Sequence, residues 1–263
     1  MDEPVYDELA AVEGRHWWFQ GRRRILADVL RRRLRTLGRP VRIVDVGSGT
    51  GEMLDMLQEF GSVVGLDASP KAIGYCQARF GDELQVCLGR IPDDVPAGAD
   101  LITAFDVVEH LEDDQGALAG LHDRLADDGV FVCTVPAFPF LWSDHDVVHH
   151  HYRRYTRSVL RHRLEEAGFQ VERISYFNTT LFPAAAAVRL LHRARGGASS
   201  GSDVAVPPSW ANRSLLAVFG AERFLLRFMS LPFGVSLLAV CRRGSAGPHM
   251  QSLQDFPRSA VRA

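Results

Sequence analysis

Apolar residues follow two rhythms along the chain. Over residues 5–37 they fall at helical spacing, among them Leu9, Val12, Trp17, Trp18, Ile25, Leu26, Leu30 and Leu34. That spacing predicts two helices broken at Gly14 and Gly21, the second with arginines on its outer face. From residue 41 the rhythm changes. Short β-branched runs (VRIVDVG, SVVGLD, LQVCLG, DLITAFD, VFVCTVP) alternate with stretches predicted as helices at 52–60, 70–80 and 115–125. Another predicted helix, 157–168, precedes FQVERISYF, and a last strand-like run, GVSLLAVCRR, covers 234–243. Near-continuous apolar strands separated by helices describe a doubly wound α/β fold, a parallel sheet with helices on both faces.

An insertion over 178–232 separates the last two strands. It holds an Ala-rich predicted helix at 183–192, the stretch GGASSGS, and an amphipathic predicted helix at 210–229. Its Leu, Phe and Met stripe reads either as core packing or as a lid over a substrate. After Gly244 no periodicity remains, and 244–263 is expected to be a disordered tail. The expected organisation is a helical lid segment over 1–40 and one α/β domain over 41–243 that carries the insertion.

Composition narrows the class. In 263 residues, 46% hydrophobic content is ample for a core, and a net charge of −2 argues against a dedicated nucleic-acid binder. The four cysteines are scattered without a Cys-x-x-Cys pair, and MDEPVYDELA lacks an apolar signal core, so a cytoplasmic location is expected. The longest uncharged runs are too short to span a membrane.

The first strand ends in VDVGSGTGE, where Gly47, Gly49 and Gly51 let the backbone turn and approach a ligand just before a helix. The second strand ends in Asp67, an acid placed to accept hydrogen bonds from ribose hydroxyls. Dinucleotide enzymes use G-x-G-x-x-G against a pyrophosphate. Here the spacing is G-x-G-x-G, followed by Glu52, which suits a cationic amino-acid moiety better.

With VVGLDAS, FDVVEHL and LADDGVFVCTVP following in order, residues 41–136 resemble the core of the class I S-adenosylmethionine-dependent methyltransferases. The resemblance implies a Rossmann-like sheet of seven strands, the last antiparallel and inserted between its neighbours. It also implies S-adenosylmethionine as cofactor. Asp45, Gly47, Ser48, Gly49 and Gly51 would wrap the methionine part, and Asp67 and Ala68 the ribose. Phe105 and Asp106, at the end of strand four, would approach the amino acid. Where many members have Gly-Asp-Ala after strand three, this chain has Gly89-Arg90-Ile91, which puts Arg90 and Ile91 near the adenine.

The stretch SDHDVVHHHYRRYT, 143–156, holds four histidines and two adjacent arginines. It is expected to be a loop leading to a helix capped by Thr156. A hydroxyl acceptor needs a base, which makes His110, His145 and His151 the candidate catalytic groups. One of Arg153 and Arg154 is expected to hold the acceptor, the other to be a surface charge. Trp17 and Trp18 read either as a docking pair for the leading helix or as part of an acceptor pocket. Asp106, Glu109, His110 and His151 also resemble the metal ligands of ubiquinone-pathway and small-RNA O-methyltransferases. That makes a divalent ion a second candidate cofactor, set against a bland reading in which Glu109 and His110 merely begin a helix.

The expected function is methylation of a small-molecule acceptor, foremost at a hydroxyl, with an amine or carboxylate as alternatives. RNA methylation, NAD(P)-dependent oxidation and a non-catalytic cofactor-binding partner protein are the competing readings. The sequence does not fix the oligomeric state.

Overall fold

The computed structural model describes residues 3–35, 39, 41–194 and 205–244. The tail expected over 244–263 lies outside them apart from Gly244, as does all of GGASSGS. Two helices lead the chain, α1 (Glu3–Val12) and α2 (Trp17–Leu34). Then come β1 (Val41–Val46), α3 (Leu54–Leu57), β2 (Gly61–Asp67), α4 (Pro70–Phe80), β3 (Gln85–Leu88) and β4 (Ala99–Phe105). The second half comprises α5 (Asp114–Arg124), β5 (Leu125–Pro136), α6 (Asp144–Val148), α7 (Arg157–Glu166), β6 (Phe169–Phe177), α8 (Phe182–Ala194), α9 (Ser209–Leu225) and β7 (Ser236–Arg243).

The seven strands form one sheet in the order β3-β2-β1-β4-β5-β7-β6. Strands β1 to β5 pair in parallel, and β7 runs antiparallel between β5 and β6. This is the Rossmann-like arrangement that the resemblance implied. Successive residues of a strand point to opposite faces. Val44, Ile102 and Phe131 therefore face the α5 and α7 side, whereas Ile43, Leu101 and Val132 face the α2, α4 and α9 side. Both faces are covered, so the central strands carry no alternation. Strand β4 is buried at all seven positions.

Three local expectations are corrected. Gly21 does not break a helix; it lies inside α2, because Phe219 of α9 packs against it. A Cβ at Gly21 would fall 2.4 Å from Phe219 Cδ1, so only glycine lets the two helices approach this closely. The helix expected over 52–60 contracts to α3, Leu54–Leu57, with hydrogen-bonded turns on either side. The 143–156 stretch is not wholly a loop. Ser143 and Asp146 form a capping box that starts α6, each side chain meeting the other's backbone N–H. Thr156 does cap α7, accepting from the Val159 N–H.

Helices α2 and α9 lie side by side in the same direction. The Trp17 N–H donates to Asn212 Oδ1 at 2.9 Å, Gly21 meets Phe219, and Arg227 pairs with Asp28. The insertion is thus fastened to the N-terminal segment as well as to β6, where the Leu231 N–H donates to Ser175 Oγ and Phe219 stacks on Phe177. Replacing Gly21 with Ala should cost about 1–3 kcal/mol by overpacking against the fully buried Phe219. Chemical denaturation would show this as a lower midpoint at unchanged slope.

Candidate functional site

The parallel strands end at one edge of the sheet, where open α/β sheets bind their ligands. A cavity of about 1340 Å³ opens there. Ligand pockets for a single drug-sized molecule span about 300–1,000 Å³, so this one has room for a cofactor and part of a second ligand.

At the cofactor end, β1 turns through Gly47 and Gly49, both in the left-handed region at φ 69° and 54°. A Cβ at Gly47 would strike Val107, whereas one at Gly49 would meet no protein atom and would project into open space. The Asp67 carboxylate accepts from the Gly49 and Ser69 N–H groups, both at 2.9 Å, which ties the glycine loop to the end of β2. Asp45, Ser48, Ala68, Arg90, Ile91, Phe105 and Asp106 line the cavity as the sequence led us to expect. Gly51 does not line it. Gly51 makes the turn instead, at φ 86°, against Phe80 and Cys76. The Arg90 N–H is committed to Asp94, at 2.8 Å.

This end of the cavity is acidic. Burial pushes the Asp45 and Glu52 carboxyls each up to about 7. Burial outweighs Arg23, which pairs with Glu52 at 3.0 Å. Glu13, from the turn after α1, accepts from the Thr50 hydroxyl and pairs with Arg79. An acid-lined pocket favours a ligand that carries a sulfonium and an ammonium group. Arg22 reaches in from α2 and pairs with Asp106 at 2.9 Å, while also donating to Thr134. Asp106 itself sits at φ 57°, an unusual conformation for a non-glycine residue, and accepts from the Thr134 hydroxyl. Nothing in the local sequence marks Arg22, one of three consecutive arginines, as the one turned inward. Trp17 and Trp18 line the cavity and also pack, Trp17 edge-on against Phe219 and Trp18 beneath the Arg22 guanidinium at 5.0 Å.

The histidines gather further along. The short 3-10 turn Val108–His110 follows β4, and the Tyr152 N–H donates to the Glu109 carbonyl at 2.8 Å, stitching the 143–156 stretch to it. The His110 and His151 rings lie 4.6 Å apart, and His145 and His149 lie 4.0 Å apart. Burial, then the neighbouring His151, lowers His110 to about 3 and His149 to about 4, so both are neutral at pH 7.

Asp146, which sequence reasoning did not single out, organises this cluster. It is completely buried and accepts from Arg154 Nε and Nη2 at 2.7 and 2.9 Å and from His151 Nδ1 at 2.8 Å. Burial alone would raise its carboxyl. The hydrogen bonds from His151 and Arg154 overcome that and hold it well below the usual range. An ionised carboxylate only accepts, so the Nδ1 of His151 carries a proton, and in the neutral ring Nε2 is the acceptor.

Neither arginine has the role of an acceptor clamp in this geometry. Arg154 borders the cavity, but its guanidinium is spent on Asp146 and the Ala137 carbonyl. Arg153 does not line the cavity and pairs with Asp114 at 2.7 Å. The four proposed metal ligands converge only in part. Ligand atoms of Glu109, His110 and His151 all lie within 4.8 Å of one another, whereas Asp106 is engaged by Arg22. Glu109 is fully buried and neither of its carboxylate oxygens has a hydrogen-bond partner. Burial and the nearby Asp106 raise its carboxyl well above the ordinary value.

Residues 18–174, more than half of the chain, match the model of a methyltransferase domain family. The chain belongs to that family, and its fold and glycine loop are those of a class I S-adenosylmethionine-dependent methyltransferase. No curated protein matches its sequence. Solved structures resemble it in fold. One is the complex of the Haloferax volcanii Trm112 methyltransferase activator with a methyltransferase (18% identity, 94% of this chain and 96% of that one, TM-score 0.58). Another is a sarcosine dimethylglycine methyltransferase from Galdieria sulphuraria (18%, 83% and 85%, 0.53). A third, magnesium protoporphyrin IX methyltransferase from Synechocystis with bound S-adenosylhomocysteine, matches at 13%, 85% and 84%, and 0.52.

S-adenosylmethionine is the cofactor, and the open glycine cradle with its acidic surround fits it. Asp67→Ala should weaken binding of S-adenosylhomocysteine by about 1–3 kcal/mol in calorimetry, the loss expected for hydrogen bonds to a charged group.

A pH dependence follows from Glu52. Its folded-state value is raised from 4.5 to about 7, so the stability linked to it is complete below about 4.5 and is lost as pH rises through 7. Glu52→Gln should therefore gain thermal stability relative to the parent between pH 5 and pH 8. A difference that stays flat over that window would contradict the assignment.

Proposed function

We propose that the protein methylates a hydroxyl group of a small-molecule acceptor, with His151 as the general base. The observation that carries this reading is the Asp146–His151 pair. A buried, ionised carboxylate accepts from Nδ1 of a histidine whose ring borders the cavity. An amine or carboxylate acceptor would need no such pair.

S-adenosylmethionine supplies an electrophilic methyl group for in-line displacement. The chain does the rest. The glycine loop, Asp67 and the Arg22–Asp106 pair fix one end of the cavity, and His151 Nε2 takes the hydroxyl proton at the other. Neutral His110 and His149 beside it leave that basic nitrogen without a competing cation. Trp17, Trp18 and the insertion roof the cavity and keep water out. Alignment of this kind contributes about 7–11 kcal/mol in favourable cases. His145 also lines the cavity and is the alternative base.

Glu109 favours a second reading. A buried carboxylate with two unpartnered oxygens either stays protonated or holds a cation, and His110 and His151 stand at ligand distance from it. A divalent ion there would lower the pKa of a bound hydroxyl. The Asp146–His151 hydrogen bond is also the kind of outer contact that orients a metal-bound histidine. Asp106 would not take part.

His151→Ala should lower kcat about 10²–10⁴-fold while leaving cofactor affinity intact. Asp146→Asn should lower kcat too and change the pH profile. Elemental analysis and activity in chelator separate the two readings: full activity without metal leaves the base alone, and an equimolar ion lost with activity favours the second. Unchanged kcat in His151→Ala would remove both.

A further inference from the structure

Helix α9 is apolar on both sides. Its inner face, through Phe219 and Leu226, packs against α2, and Leu215 lines the cavity. Its outer face, read at 100° per residue, carries Trp210, Ala217, Val218, Ala221, Phe224 and Leu225, and the turn that follows adds Phe228. These side chains are not buried elsewhere: Trp210 is 76% exposed and Phe228 89%. The one acid on the helix, Glu222, is buried and faces inward. A helix of 17 residues extends about 25 Å, so the stripe is long and without negative charge.

Cationic side chains flank this stripe along one side. Arg213 is exposed beside Trp210, and Arg24 of α2 lies against Gly220. The Arg223 and Arg227 guanidiniums stand over the Phe224 ring at 4.7 and 5.0 Å. Because α2 runs parallel to α9, its exposed Arg31 and Arg35 extend the same positive border. Arg227 and Arg31 are paired with Asp28 and Glu59, so the net positive charge of the border comes from Arg213, Arg24, Arg223 and Arg35. Aromatic and aliphatic groups on one stripe, with arginines beside them, are what a helix needs to lie in the interface of an anionic bilayer. The apolar stripe enters the acyl boundary, and the arginines meet the headgroups.

We infer that the outer face of α9 docks the protein peripherally on an anionic lipid surface. No helix among the described residues is long and apolar enough to cross a membrane, and docking requires none. The inference does not rest on the identity of the acceptor or of the base. It places the wall of the acceptor cavity, through Leu215, on the element that touches lipid.

The test is co-sedimentation of the full chain with vesicles of phosphatidylcholine, and of phosphatidylcholine mixed with phosphatidylglycerol. The protein should partition onto the mixed vesicles, and less so as salt is raised. Arg213→Gln should weaken partitioning about fivefold, the factor for one arginine near an anionic surface. The double variant Trp210→Glu and Phe228→Glu should abolish it. Both variants should bind S-adenosylhomocysteine as the parent does, since none of the three residues lines the cavity. Three outcomes would overturn the inference: no partitioning, equal partitioning onto neutral and anionic vesicles, or partitioning indifferent to the double variant. Parent chains that self-associate through this face in ultracentrifugation, and ignore vesicles, would assign it to a contact between copies instead.

Discussion

Parallel strands must all leave the sheet in the same direction, and the site is a consequence of that constraint. The loops after β1, β2, β4 and β5 emerge at one edge, so the glycine turn, Asp67, Asp106 and the histidine stretch converge although about a hundred residues separate the first from the last. Backbone contacts then fix their mutual placement. Asp67 accepts from Gly49, Asp106 donates its N–H to the Thr134 carbonyl, and Tyr152 donates to Glu109. Side chains of ordinary flexibility are aimed by main chain held in this way.

Buried charge divides the cavity into two kinds of chemistry. Around the cofactor, Asp45, Glu52 and Glu13 lose solvent without full cationic compensation, which raises their carboxyls and makes the space attractive to a cationic ligand. At the histidine cluster, Asp146 is compensated by a two-point contact with Arg154, so it stays ionised in a fully buried position. Removing one partner of such a pair leaves a charge uncompensated, at a cost of about 3–5 kcal/mol. Arg154 thus holds the same carboxylate to which His151 donates. Glu109 stands beside His110 and His151 with no hydrogen-bond partner for either oxygen.

The N-terminal segment and the insertion pack together beside the cavity. Arg22 and Glu13 contact the cofactor end, while α9 is pressed onto α2 at Gly21 and hydrogen-bonded at Trp17. A shift of α9 would therefore be felt by the helix that carries Arg22. Such a coupling needs no change in the sheet, whose β4, β5 and β7 strands are buried almost throughout.

The doubly wound sheet was legible in the sequence because strands buried on both faces leave continuous β-branched runs, and helices between them leave a different period. β6 starts and ends where its run FQVERISYF does. The cofactor loop was legible as well, since a turn with positive φ at Gly47 and Gly49 admits few residue types and the acid after β2 follows at a fixed offset. The capping box at Ser143 is a local pattern that could have been found and was read as loop. Tertiary structure alone decided the rest. It turned Arg22 inward and Arg24 outward, gave Arg154 to Asp146 rather than to a substrate, and let Phe219 claim the space beside Gly21. It also brought Glu109 to His151 without Asp106. Each of these is a choice among chemically equivalent partners made by distance and burial. The sequence sets out the residues that can bond, but the packing of distant segments determines which of them meet.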